Sequence, residues 1–459
     1  MPLKQFTIDF QRIGQQEFLR LNVGYRYFFD VQKAEVYPTK QSIKLKYVLK
    51  ELPAKKVSKG ELEETECLID IGNIERRFNN LINVEEVDEI GSDKSILQNG
   101  DIVIPKMQPQ MGNIFLNLEH ERFIGSTELL EYSISTNHNP LFLYYLITSG
   151  KFLSDLAKLE SGKTHRRVNP VDLLKIKIPA IPKFKQDQIV AEIEPIEKKI
   201  KKLKNQITPP QEIINKVFAR EFGFDLEKFE ALKKEKFFEV DISKIVTMLI
   251  RSTVVQNSPS SNFLKLFLRQ NTIFLKDILI RPIKRGKQPE YTEDGIKVIK
   301  TLNIQKGQII FDEVQFVSEN FLKNNEEKAG IYKNDLLLTS TGMGRGKFAL
   351  YTGEETCFAD SHVSIIRFNP KRFLPYFLNY YCQSFLGIKQ LKYIEMQIKG
   401  TPEIYEAQLN YFQIPNISFK HQQKIVDEIK IELDKQEEMK KKIETQRNKI
   451  DEIIGKAIS

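Results

Sequence analysis

One stretch of this chain occurs twice. Ile178-Pro179-Ala180-Ile181, followed by Gln186, Ile189-Val190, Glu192 and Ile193, recurs as Ile414-Pro415-Asn416-Ile417, followed by Gln422, Ile425-Val426, Glu428 and Ile429. The offset is constant, since 415 − 179 and 429 − 193 both give 236, about half of the 459 residues. Upstream the echo continues in order. Leu68-Ile69-Asp70-Ile71-Gly72-Asn73-Ile74 answers Val298-Ile299-Lys300-Thr301-Leu302-Asn303-Ile304, and Asn99-Gly100-Asp101-Ile102-Val103 answers Lys333-Asn334-Asp335-Leu336-Leu337. A period this long is far beyond any solenoid repeat, so the chain must fold as two copies of one unit. Its length also exceeds what a single hydrophobic core usually serves. Each half runs from a strand-rich region into a helix. The expected partition is a globular domain over 1–184, a helical spacer over 185–235, a second globular domain over 236–419 and a C-terminal spacer over 420–459.

The globular halves carry short β-branched runs punctuated by Gly, Pro and Asn, at Cys67–Ile71, Ile102–Ile104, Lys297–Lys300, Leu336–Leu338 and Val363–Phe368. Pro140–Leu156 and Arg372–Lys392 instead place Leu, Phe and Tyr at helical spacing. The class is therefore α+β.

The spacers have a narrower apolar seam. Ile189, Ile193, Ile196, Ile200, Leu203 and Ile207 alternate spacings of four and three in a Lys/Glu-rich background, and Ile425, Ile429, Leu433, Met439, Ile443, Ile450 and Ile453 repeat the logic. Two such seams in one chain are expected to bury against each other as an intramolecular coiled coil; the alternatives are packing on the globular domains or a homodimer. Pro195 should kink the first helix or restart it. Thr208-Pro209-Pro210-Gln211 reads as a capping box opening a further helix that runs to about Phe222 and stops at Gly223.

Charge permits a polyanion partner without requiring one: 70 Lys+Arg face 61 Asp+Glu, a net +9. Three dispersed cysteines, Cys67, Cys357 and Cys382, have neither disulfide-framework nor zinc spacing, which suits a reducing, cytoplasmic setting. No run approaches the ~18 apolar residues of a membrane span, and the sequence from Met1 to Gln5 lacks a signal-peptide core.

Catalytic patterns are weak. Gly342 to Lys347 fails the phosphate-loop spacing, since Phe348 stands where Ser or Thr is needed, and the five histidines form no ligand cluster. Asp360-Ser361-His362 is expected to be a turn or edge-strand segment rather than a triad fragment, because neighbours on a strand point to opposite faces. Polar loops are more informative. Arg281 to Tyr291 gathers Arg281, Lys284, Arg285 and Lys287 around Gly286 and Pro289, with Lys55 to Gly60 expected at the matching place in the first half. Thr339 to Lys347 pairs with Lys106 to Gly112, and Gly162 to Arg167 pairs with Lys399 to Pro402. Cations in such loops suit phosphates, while Gln, Asn and Arg can read base edges.

With these residues in place, the chain resembles the specificity subunit of a type I restriction-modification system over nearly its full length. The carriers are Leu275-Lys276-Asp277-Ile278, Arg285-Gly286-Lys287-Gln288-Pro289-Glu290-Tyr291, Gly295 to Ile299, and the repeated Ile-Pro-x-Ile and Gln-x-x-Ile-Val-x-Glu-Ile. The first half departs from the pattern, lacking Gly-x-x-Pro-x-Tyr between Leu45 and Gly60.

The resemblance implies a noncatalytic reader with two target-recognition domains. Each would contact one part of a split, asymmetric double-stranded DNA site, with the antiparallel spacers as a ruler that docks two DNA methyltransferase subunits. S-adenosylmethionine, ATP and Mg would belong to partner subunits, the last two to ATP-dependent motor-nuclease subunits, with no cofactor or metal in this chain. The expected DNA-contacting residues are Lys284, Arg285, Lys287, Gln288 and Tyr291 in one loop, Arg345 and Lys347 in the next, and Lys59, Lys106, Gln108 and Gln110 in the first half. A methyltransferase-only or two-component system, a stand-alone endonuclease and a DNA-free coiled-coil adaptor are the other readings.

Overall fold

The computed structural model describes residues 22–233 and 272–458, apart from 38, 40, 59, 61, 63, 64, 163–165, 306, 313, 343 and 396–402. The chain divides into two units, Met1–Gln206 with Met439–Ser459, and Ile207–Glu438.

In the first unit, β2 (Leu49–Glu51), β10 (Leu129–Ile134), β7 (Ile102–Pro105) and β8 (Phe115–Leu116) lie side by side in that order, all antiparallel. A five-stranded sheet has the order β3 (Lys55–Val57), β6 (Lys94–Leu97), β9 (Phe123–Gly125), β4 (Glu66–Ile69), β5 (Glu85–Val87). Its one parallel pair is β4 with β9, in register at Leu68 and Ile124. β7 is buried at all four positions, which is why Ile102-Val103-Ile104 reads as a continuous apolar run instead of an alternating one. Val103 packs with Ile69, Leu97, Phe123 and Leu129 into one core. β1 (Ser42–Lys44) pairs with β11 (Lys177–Pro179), and the helices α1 (Pro140–Ile147), α2 (Gly150–Leu156) and α3 (Lys183–Lys204) complete the unit with residues 439–458.

The second unit repeats this wiring. β13 (Lys284–Arg285), β23 (Val363–Ile366), β20 (Leu336–Thr339) and β21 (Phe348–Leu350) match the four-stranded sheet in order and sense. The other sheet runs β14 (Tyr291–Thr292), β18 (Gln315–Val317), β15 (Ile296–Ile299), β22 (Cys357–Ala359), β19 (Gly330–Ile331), with β15 and β22 parallel. Read from the other edge, its strands β19-β22-β15-β18 follow the order β6-β9-β4-β5. Only the outermost strand differs, β3 lying beside β6 and β14 beside β18. A hairpin of β16 (Ile304–Gln305) and β17 (Gln308–Ile309), the pair β12 (Thr272–Phe274) with β24 (Gln413–Pro415), and helices α4 (Pro210–Glu221), α5 (Glu319–Ala329), α6 (Pro375–Gln383) and α7 (Phe385–Glu395) complete it.

The upstream echo has a local cause. After β4 the Asn73 carbonyl accepts from Asp70 N at 2.7 Å and its amide donates to Ile82 O at 3.1 Å. After β15, Asn303 accepts from Lys300 N at 2.9 Å and donates to Ile310 O at 2.9 Å. An Asn that satisfies backbone groups on both sides of a turn fixes the exit of the strand, and Leu or Ala could not replace it.

The repeated Gln does the same for the helices. Gln186 on α3 is 1 % exposed; its carbonyl accepts from Asn139 N, at the start of α1, at 2.8 Å, and its amide donates to Ile181 O at 2.7 Å. Gln422, on the long helix α8 (Phe419–Ile458), is buried in the same way and joins Leu374 N, at the start of α6, to Ile417 O and Arg372 O. The segment repeated most closely is therefore a weld between strand, spacer and domain, where a one-residue change leaves buried backbone groups unbonded.

α8 belongs to both units, the second as far as Glu438 and the first from Met439. Within each unit the terminal helical segment docks alike. In the second, Gln211 on α4 donates to Gln383 O at 2.5 Å, and Asn215 accepts from Phe385 N at 2.8 Å. In the first, Arg447 donates to the Thr148 hydroxyl at 2.8 Å and Asp451 accepts from Gly150 N at 3.1 Å. The offsets 447 − 211 and 451 − 215 are again 236. Both contacts sit at the break between α1 and α2 or between α6 and α7, so each apolar stretch expected to be helical is two helices with a partner side chain at the gap.

Two expectations are corrected. Pro195 neither ends nor restarts α3, which runs through it; its ring is exposed, so the carbonyl deprived of a partner faces water. Thr208 does not cap α4, whose flanking residue is Pro209 with no side-chain bond; Thr208 instead donates its amide to Gln436 at 2.9 Å. Each seam packs within its own unit. α3 packs against α1, and Ile425, Val426 and Ile429 join Ile214, Phe218 and Phe377 in the core of the second unit. Ile193, Ile200, Ile443 and Ile450 are buried, whereas Ile196 and Leu203 are half-exposed.

Candidate nucleic-acid interface

In the second unit three loops are sewn into one face. The chain leaves β13 through Gly286, whose amide donates to Val363 O at 2.9 Å, and Lys287 N follows with a bond to Ala359 O at 3.1 Å. A Cβ on Gly286 would lie 2.2 Å from Ala359 O, so only glycine lets the loop approach this closely. The loop is thereby fixed on the turn Asp360-Ser361-His362, which joins β22 to β23. Ser361 Oγ lies 3.3 Å from Gln288 Oε1, and His362 N donates to Asp360 Oδ1 at 2.9 Å. His362 Nδ1 meets Thr341 Oγ1 at 2.5 Å, which carries the connection into the loop after β20. There Arg345 donates to Gly342 O at 3.1 Å, Gly342 and Gly346 take φ of 82° and 84°, and Lys347 is exposed. Gln288, Ser361, His362, Thr341, Arg345 and Lys347 are thus contiguous through bonds, on loops that leave the edge strand β13 and the interior strands β20 and β22.

The cations on this face are not equivalent. Arg285 is committed internally: its guanidinium is 3.0 Å from Glu406, 3.4 Å from Glu403 and donates to Ile404 O at 3.2 Å. It latches the β13 strand to the 403–406 segment, and a guanidinium neutralised by two carboxylates is a poor phosphate ligand. Lys284 lies 3.8 Å from Glu327, beside an open cleft of about 870 Å³ between β13, α5 and Tyr405. Lys287 is exposed and donates only to the neutral Asn325, at 2.7 Å. Tyr291 is exposed, with the Lys300 ammonium 5.5 Å from its ring centre; burial, helped by the Asp360 charge, raises its phenol above the ordinary value, so it stays a neutral hydroxyl.

The first unit assembles a related face with different chemistry. The loop after β7 starts with Lys106, whose amide donates to Glu128 O and whose carbonyl accepts from Val168 N, and Gln108 N donates to Arg166 O at 3.1 Å. The loop after β7 is therefore bonded to Arg166 and Val168. Gln108 has φ of 48° and projects into solvent. Charge is largely cancelled here: Arg167 clasps Glu128 at 2.9 and 3.0 Å, and Arg166 lies 3.9 Å from Glu160. Burial raises the Glu160 carboxyl, opposed by Arg166 and by a bond from Gln110. Lys59 lies outside the described residues, as do 163–165 and the segment 399–402. The residues in register with Lys284 and Arg285 are Leu52 and Pro53: Tyr132, opposite Ile102 and Glu51, answers Ile366, opposite Leu336, and Lys284 pairs with Ile365. Lys55 and Lys56, exposed on the edge strand β3, follow two residues later, as Lys287 and Gln288 follow Arg285.

Ser361, His362 and Thr341 were not singled out as contacts in the sequence. The turn Asp360-Ser361-His362 was visible only as a turn; that it meets Gln288 depends on strand order, which spacing does not reveal.

Residues 47–209 match the protein family described as type I restriction modification DNA specificity domain. No curated protein matches the chain. Among solved structures, one described as the structural basis of complex assembly and conformational transition of the type I R-M system is 14 % identical, covering 92 % of this chain and 98 % of its own, with a TM-score of 0.42. The HsdS subunit from Thermoanaerobacter tengcongensis is 15 % identical, with coverages of 91 % and 96 % and a TM-score of 0.32. The type I restriction-modification S subunit from M. genitalium is 16 % identical, with 91 % and 95 % coverage and a TM-score of 0.35.

Proposed function

We propose, from the match of residues 47–209 to the type I restriction modification DNA specificity domain, that both halves of this chain read DNA and that the whole is the specificity subunit of such a system. The observation that carries the reading is the shared strand order. The second half has the same four-stranded sheet and the same parallel pair as the half containing the matched residues.

Mechanistically, each unit holds polar loops on central strands, the arrangement needed to place side chains in a groove with little loss of conformational freedom on binding. Exposed Lys287 and Lys347 would take phosphates, which positions the domain without specifying sequence; amides and hydroxyls on the same face would read base edges. The two faces differ in charge and in side chains, so they would read different sequences, giving a bipartite, asymmetric site.

The chain itself would be noncatalytic, its outer spacer surfaces docking two methyltransferase subunits and, in a restricting system, motor-nuclease subunits. S-adenosylmethionine, ATP and Mg would act on those partners. Mapping methylated adenines in the host genome with and without this gene tests the reading. A split motif that disappears with the gene is expected; an unchanged pattern would refute it.

A further inference from the structure

We infer that Gln288 is a base-reading residue whose polarity is set by Ser361, so that it presents an amide donor and selects guanine. This rests on the DNA-reading function proposed above and names one position within it.

The placement of Gln288 is fixed by its neighbours. Gly286 N and Lys287 N bond to Val363 O and Ala359 O on the strands that flank the turn, and Gly286 is packed too closely for any Cβ. Gln288 follows directly on these anchored residues, and it is exposed. The Ser361 hydroxyl faces two oxygens, Gln288 Oε1 at 3.3 Å and Asp360 Oδ1 at 3.4 Å. Asp360 is itself held, 6 % exposed and accepting from His362 N at 2.9 Å, so the turn cannot easily move away. A hydroxyl hydrogen shared between those oxygens turns the carboxamide carbonyl toward the protein and leaves its NH2 facing outward.

The chemistry then chooses the base. Gln pairs with adenine through both ends of its amide, accepting from N6 and donating to N7. With the carbonyl turned inward that bidentate pair is weakened. Guanine offers two acceptors on its major-groove edge, O6 and N7, to the two hydrogens of an outward NH2, where thymine offers O4 alone beside its methyl group. Cytosine offers a donor, N4, and is rejected.

The test is selection of bound sequences from a random double-stranded DNA library by the purified full-length chain and its variants. The wild type should enrich a motif with a guanine in one half-site. Gln288→Ala should flatten that position alone, and Gln288→Glu, which has only acceptors, should replace the guanine by cytosine on the same strand. Ser361→Ala should let adenine in beside guanine. Gln288→Ala with every position unchanged would overturn the inference while leaving DNA reading intact, and so would a wild-type position that changes from cytosine or adenine. No enrichment by the folded wild-type chain would overturn the DNA-reading function itself.

Discussion

At the scale of single residues, similar side chains on one face have different duties, and only their partners reveal which. Arg285 and Lys287 are two residues apart in a basic loop, yet the first is latched to Glu403 and Glu406 and the second meets a neutral Asn. Replacing Lys287 and Lys347 with Ala should weaken binding to all sequences and lower the slope of log affinity against log salt by about 0.9 per lost phosphate contact. Titration of a fixed duplex across salt concentrations checks this; an unchanged slope would remove both lysines from the interface. The basic loop itself was legible in the sequence, as was the glycine-dependent approach implied by Gly286. The internal use of Arg285 was not, because Glu403 and Glu406 lie more than a hundred residues away and their contact is a product of the fold.

At the scale of elements, the repeat was legible because its most constrained residues are buried and bonded to backbone. Gln186 and Gln422 must stay Gln wherever strand, spacer and domain helix meet. Gln422→Ala should leave Leu374 N and two carbonyls without partners and cost about 2–3 kcal/mol, whereas Ala at the half-buried neighbour Gln423, which bonds only the surface carboxylate of Asp427, should cost well under ~1 kcal/mol. Thermal melting distinguishes the two.

The docking of α4 against α8 also makes a pH prediction. The Glu221 carboxyl is held down to about 2, first by its bond to His421 and then by Arg220 and Lys424. Because its folded value lies below the ordinary ~4.3, its contribution is fully present above that pH and is lost as pH falls toward 2. Glu221→Gln should flatten the acid limb of a stability-versus-pH curve in that window, and an identical limb would show that the cluster is not linked to folding. What the spacing could not convey was the partner of each seam. A period of three and four states that a helix has an apolar face; that α1 packs against α3, and that residues of α4 and α6 cluster with Ile425 and Ile429, is invisible to it.

At the scale of the molecule, two copies of one wiring have kept their central strands and diverged at the edges and loops. The first face pairs most of its cations with carboxylates, while the second leaves Lys287 and Lys347 without one among the described residues. Duplication followed by divergence of loops on a constant scaffold is what two different half-sites would require. Basic composition alone permitted this reading without choosing it; the ordered repeat and the match of residues 47–209 to a DNA specificity domain support it. The central claim is that two nonidentical faces each read their own sequence. Its most direct test is the full set of sequences that the intact chain enriches from random duplex DNA: the account predicts two short, different words separated by a fixed unread gap, and a single contiguous word, or two identical words in inverted order, would contradict it.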